Sequence, residues 1–92
     1  MRLQGKHISL IKVGDAYDAM YTSKEHPNGI ITGYIVIGTV VNSLKQDHSL
    51  ILAREEGGYF HTSPVKEINE KEKTFTTVNS VYKYEIVERL DI

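Results

Sequence analysis

Residues 58–88 read GYFHTSPVKEINEKEKTFTTVNSVYKYEIVE, and this stretch decides the fold class. Residues 65–68 form a short run closed on the N-terminal side by Pro64. Residues 74–78 are rich in β-branched and aromatic side chains, which suit a pleated, half-buried surface. Residues 69–73 between them are polar and charged, as an exposed hairpin loop requires. The period then breaks at Asn79-Ser80, two residues whose side chains bond readily to nearby backbone in a tight turn. Beyond the break, Tyr82, Tyr84 and Ile86 share one face, while Val81, Lys83, Glu85 and Val87 share the other. The stretch therefore predicts a hairpin, one tight turn and a last strand.

Working outward, residues 48–54 (HSLILAR) read as a short apolar strand, and residues 55–58 (EEGG) as a turn. Residues 30–41 (IITGYIVIGTVV) predict the main core strand, apolar on both faces, with bend points at Gly33 and Gly38. Residues 5–13 (GKHISLIKV) predict a first strand with an imperfect period. Ile8 and Leu10 fall on one face and Ile11 and Val13 on the other, which a bulge or bend reconciles. Residues 14–29 (GDAYDAMYTSKEHPNG) are the least strand-like. They fit either one or two helical turns capped by Asp15 or an extended arm in which Tyr17, Ala19 and Tyr21 alternate. Residues 26–29 (HPNG) read as a turn.

About six short strands separated by turn signals, with no strong helix, predict an all-β barrel or sandwich. Strand, long arm, three-strand meander, tight turn and last strand fit a small SH3-like barrel best. The expectation is one domain over residues 1–92, with five to six antiparallel strands and the arm between the first two.

Composition narrows the function. A hydrophobic content of 40% marks a globular chain. There is no cysteine, which excludes disulfides and cysteine-ligated zinc. The net charge of −1 gives neither half the basic excess of a general nucleic-acid binder. The longest apolar stretch, residues 30–41, is too short to span a membrane. The first residues lack the apolar run and cleavage site of a signal peptide, so a cytoplasmic location is expected.

The segments at 58–65 and 75–86 are similar to small SH3-like proteins of bacteria and their phages. The likeness is carried by a T-S-x-V turn (Thr62 to Val65) and a strand entered through N-S-x-Y (Asn79 to Tyr82). It covers about a third of the chain, by residue types that serve structure. It implies the SH3-like fold, and it implies a phage or mobile-element inhibitor of a host defence protein as one form of function. AYDAMY at 16–21 resembles the ALYDY-type stretch of eukaryotic SH3 domains. Those bind polyproline with a groove that includes tryptophan, and this chain has none, so proline-rich peptide binding does not carry over.

The candidate chemistry is sparse. His7, His26, His48 and His61 match no ligand spacing, and no metal site or cofactor is expected. His61, Thr62 and Ser63 lie close in sequence, but no orienting acid is near, and Ser63 before Pro64 suits a structural turn. Glu56-Gly57-Gly58 is acidic and precedes no Lys-Ser/Thr, which excludes a Walker-type loop. Tyr17 and Tyr21 differ from the remaining aromatics because they share a polar arm with Asp18, Lys24 and His26. Long loops on rigid scaffolds carry function disproportionately.

The sequence thus points to a non-enzymatic binding module. Its expected binding residues are Tyr17, Asp18, Tyr21, Lys24, His26 and Arg54, and its expected partner is a host protein. One alternative is a homo-oligomer that captures a nucleotide-type ligand. Tyr17 or Tyr21 would stack on it, and Lys24, His26 or Arg54 would meet phosphate. A second alternative is a structural assembly subunit joined through open strand edges.

Overall fold

A computed structural model describes residues 3–20, 22, 24–25 and 30–87. It is all-β, and no helix occurs among the described residues. Seven strands follow one another: β1 (His7–Asp15), β2 (Ile35–Val40), β3 (Ile51–Arg54), β4 (Tyr59–His61), β5 (Val65–Asn69), β6 (Thr74–Thr77) and β7 (Ser80–Ile86). They form one sheet in the order β4-β3-β2-β1-β7-β6-β5, with every pair antiparallel. The count is seven instead of five to six, because residues 59–61 pair with β3 as a strand of their own.

No ladder joins the two edge strands, so the sheet is not closed by strand pairing. It is nevertheless strongly curled. Phe60 on β4 meets Tyr82 on β7 edge-on at 6.3 Å, although three strands separate them in the sheet. A row of rings, Phe60, Tyr82, Phe75 and Tyr84, crosses the interior at centroid distances of 5.4 to 6.3 Å, and the exposed Tyr34 extends it to the surface at 6.1 Å from Phe60. Ile8, Leu10, Val36, Val40, Leu52 and Val65 pack with them in one core. The edges β4 and β5 follow one another through residues 62–64. The β2–β3 loop is tied to β5 by Asp47 N–H donating to Val65 O and Val65 N–H donating to His48 O.

The hairpin and tight turn lie where the sequence puts them. The turn before β7 is held by a residue other than the expected pair, however. The Thr77 hydroxyl accepts from the N–H of Asn79 and Ser80 and donates to Ser80 O. Asn79 instead reaches back to the Ser63 hydroxyl at 3.0 Å.

The strand expected over residues 30–41 is a shorter one, Ile35–Val40. Gly33, at φ 94°, sits in a turn closed by Tyr34 N–H to Ile31 O, so the regular ladder with β1 begins only at Ile35. Gly38 is a point of close approach, because a Cβ there would run into the Ala53 carbonyl. In β1 the anticipated bulge lies between Lys12 and Gly14. Ile8 and Leu10 are buried, while Val13 remains exposed.

Candidate functional site

The arm leaves β1 after Asp15 and returns to β2 at Ile35. Its root is built on Lys12. In the alternation of β1, position 12 is in phase with Ile8 and Leu10, so the lysine points into the core and is only 3% exposed. A buried ammonium is costly unless paired and hydrogen-bonded. Lys12 Nζ meets Asp15 Oδ1 at 2.7 Å and donates to Ile30 O at 2.6 Å. The backbone joins in, with Lys12 N–H donating to Tyr34 O and Gly33 N–H to Lys12 O. One side chain therefore holds the departing and the returning end of the arm.

Beyond the root, Ala16 N–H donates to Asn79 O, which ties the arm to the β6–β7 turn. Ala19 N–H then donates to Ala16 O. This closes a single turn with Tyr17 and Asp18 at its tip, so neither a helix nor a straight alternating arm describes residues 16–19. Tyr17 is fully exposed. A second turn, residues 22–25, is held by Glu25 N–H on the Thr22 carbonyl and hydroxyl and leaves Lys24 in solvent.

The turn at 16–19 faces the β5–β6 hairpin across a cleft of about 400 Å³. Tyr17 and Asp18 line one wall, and Lys66, Glu67, Thr76 and Val78 the other. The cleft mixes a phenol ring, a cation, two carboxylates and two threonines. A broader, open groove of about 830 Å³ runs along the far side of the same hairpin, and Lys66 and Glu67 line it as well. Lys66 and Glu67 thus stand between two concavities. A bulge between Val65 and Glu67 sets their directions.

Of the residues expected to bind, Tyr17 and Asp18 come together in the cleft, and Lys24 lies on the same arm. Tyr21 and His26 lie outside the described residues. Arg54 belongs elsewhere. It pairs with Gly38, which pairs with Ile8, so it stands level with the start of β1. Asp15 is about 20 Å further along that strand at ordinary rise per residue. Arg54 meets Glu56 at 3.3 Å beside a small recess lined by Ile35 and Ile37. Sequence reasoning missed Lys66, Glu67 and Thr76, which the ladders bring level with the root of the arm in the cross-strand row Gly14, Val81, Thr76 and Glu67. It missed Lys12 as well, although a lysine in phase with Ile8 and Leu10 was a usable signal.

Two hydroxyls raised by the sequence are committed to structure. Thr62 accepts from Leu50 N–H at 2.9 Å and donates to Ser63 O, and Ser63 takes the Asn79 amide. On the outer face, His7 touches the Thr39 hydroxyl through Nδ1 at 3.3 Å and Glu55 through Nε2 at 3.6 Å. The three residues sit on or beside neighbouring strands, with Thr39 on regular β2. This is the arrangement of a cross-strand polar contact, not of a nucleophile raised on a sharp turn. Burial raises the phenols of Tyr82 and Tyr84 above the ordinary tyrosine value; for Tyr82 a hydrogen bond with Ser80 opposes the rise and Tyr34 adds to it. Both rings belong to the core. Among the described residues no helix is long and apolar enough to cross a membrane. Compared with known proteins, the chain matches no family model, no curated protein and no solved structure.

Proposed function

We propose that the protein is a non-enzymatic binding module on an SH3-like barrel, and that the tip of its arm engages a host protein. The observation that carries this reading is Tyr17, a large aromatic wholly in solvent at the tip of a turn whose root is fixed by a buried ion pair. An exposed aromatic is a common hot-spot residue. The mixed charges around it, Asp18, Lys24, Lys66 and Glu67, suit the polar rim of a protein interface. Support for the SH3-like barrel comes from the curl of the sheet, the consecutive edge strands, the long connection between β1 and β2, and the tight turn before a last strand that pairs with β1. The likeness to small phage proteins makes inhibition of a host defence protein the specific form of this reading, with the cytoplasm as its site of action.

A second reading is favoured by the cleft itself. Its volume lies in the range of small-ligand sites. Tyr17 could stack on a base while Lys66 meets an anionic group, as capture of a nucleotide-type ligand requires. Assembly through open edges is disfavoured at β5, where Lys66, Glu67 and the bulge are the features that blunt an edge strand.

Affinity capture from host lysate with the wild-type chain, Tyr17→Ala and Lys66→Ala tests the first reading. A partner retained by the wild type and lost with Tyr17→Ala supports it, and equal retention by all three contradicts it. Native mass spectrometry of the purified protein tests the second, since a retained small molecule that Tyr17→Ala releases would put ligand capture ahead.

A further inference from the structure

The cleft between the arm tip and the β5–β6 hairpin is graded from an apolar depth to a charged rim. Pairing runs Gly14, Val81, Thr76 and Glu67 across β1, β7, β6 and β5, so a carboxylate on the edge strand stands level with the root of the arm. The turn at residues 16–19 sets Asp18 on the opposite wall. Ala16 and Thr77 are buried and Val78 is half-buried, while Asp18, Lys66 and Glu67 are exposed. The Thr77 hydroxyl is already taken by the β6–β7 turn. The depth of the cleft is therefore poor in free polar groups, and its rim sets two carboxylates against one ammonium. Lys66 lines the far groove too, together with Glu70, so its ammonium has a second place to go.

We infer that this cleft takes an arginine side chain of the host protein, with its stem along Ala16 and Val78 and its guanidinium between Asp18 and Glu67. Long basic side chains lay an alkyl stem on apolar surface and keep the charged head where it is solvated or paired. A guanidinium stays charged, offers its donors in a planar fork that two carboxylates can share, and stacks on an aromatic face. Tyr17, standing free in solvent beside Asp18, supplies that face. A phosphate at the same place would meet one ammonium against two carboxylates, so charge complementarity favours the cation. The inference rests on the arm tip being the surface that meets the host protein, and it names the chemistry that the partner presents there.

Titration of the isotope-labelled full chain with N-acetylarginine methylamide at low ionic strength, followed by nuclear magnetic resonance, tests the inference. The amides of Ala16, Asp18, Thr76 and Val78 are expected to shift saturably. Asp18→Asn and Glu67→Gln are each expected to weaken the probe roughly two- to fivefold, the size of an exposed charge contact. Lys66→Gln is expected to strengthen it by a similar factor, because the competing cation is gone. The three side chains are exposed, so the variants keep the fold. The norleucine analogue, a stem without the charge, and adenosine monophosphate are expected to leave these amides in place. No saturable shift with the arginine probe, an equal shift with the norleucine analogue, or weaker binding in Lys66→Gln overturns the inference. Capture from host lysate separates it from the reading beneath it. A partner lost with Tyr17→Ala but fully retained by the Asp18→Asn, Glu67→Gln double variant keeps the arm as the interface and overturns the arginine. A partner retained equally with Tyr17→Ala overturns both.

Discussion

Lys12 Nζ lies 2.7 Å from Asp15 Oδ1, and this pair is where the sheet meets the arm. The lysine sits on the core face of β1, between the buried Leu10 and the bulge, and its ammonium reaches toward the arm. Because the same ammonium donates to Ile30 O, the arm begins and ends on one charge. The tip that carries Tyr17 is therefore mounted on the core and not merely tethered to it.

Replacing Lys12 by methionine keeps most of the volume and removes the charge. Removing one member of a buried pair is destabilising, and here Asp15 keeps some solvent, so the expected loss is about 2–3 kcal/mol. Urea denaturation measures it. Amide exchange at Ala16, Gly33 and Tyr34 should speed up more than exchange in β6 and β7. Equal speeding everywhere would mean that Lys12 supports the fold without specifically holding the arm.

The Gly38 position has no room for a side chain. Gly38→Ala drives a methyl against the Ala53 carbonyl, which only a shift of β3 relieves. The expected cost is about 2 kcal/mol or more, from overpacking against backbone. Thermal unfolding checks this, and an unchanged midpoint would show that the β2–β3 spacing is looser than the close approach implies.

Thr77→Val removes three hydrogen bonds from the β6–β7 turn while keeping its shape. Two N–H groups and one carbonyl lose a buried partner, so the expected loss is about 1–3 kcal/mol. Chemical denaturation reads it directly. Asn79→Ala, which loses only the link to Ser63, should cost less. The reverse order would return the turn to Asn79 and Ser80, where the sequence alone places it.

Much of the sheet is legible in the sequence, because strands alternate and turns carry their own residues. The run from Val65 to Ile86 shows both, and its hairpin, turn and last strand form as expected. Residues 30–41 mislead for a physical reason. Their unbroken apolar run reads as one long strand, yet Gly33 adopts a positive φ and delays the pairing to Ile35. Tyr17 and Asp18 are readable as an odd aromatic-acid pair on a polar arm. Lys66 and Glu67 are not, because they reach the arm through the order and register of β1, β7, β6 and β5, which single-sequence periodicity does not contain.

The buried phenols make stability fall at high pH. The folded pKa values of Tyr82 and Tyr84 are raised above the ordinary value near 10. In that range the unfolded chain has released protons that the folded chain still holds, so the slope of stability against pH is negative. The stabilisation is whole below about pH 10 and is lost as pH climbs through the raised folded values. Tyrosinate absorbance and far-ultraviolet circular dichroism, followed together, should show part of the absorbance appearing with the loss of β signal. Complete ionisation near pH 10 with the sheet intact would contradict this.

The most direct test of binding through the arm is a photo-crosslinking aromatic at position 17, with the same group at position 83 as control, both in the living host. A discrete heterologous adduct at position 17 that is absent at position 83 is the expected result. Irradiation that leaves position 17 free, or that gives the same adducts at both positions, would contradict the proposed function.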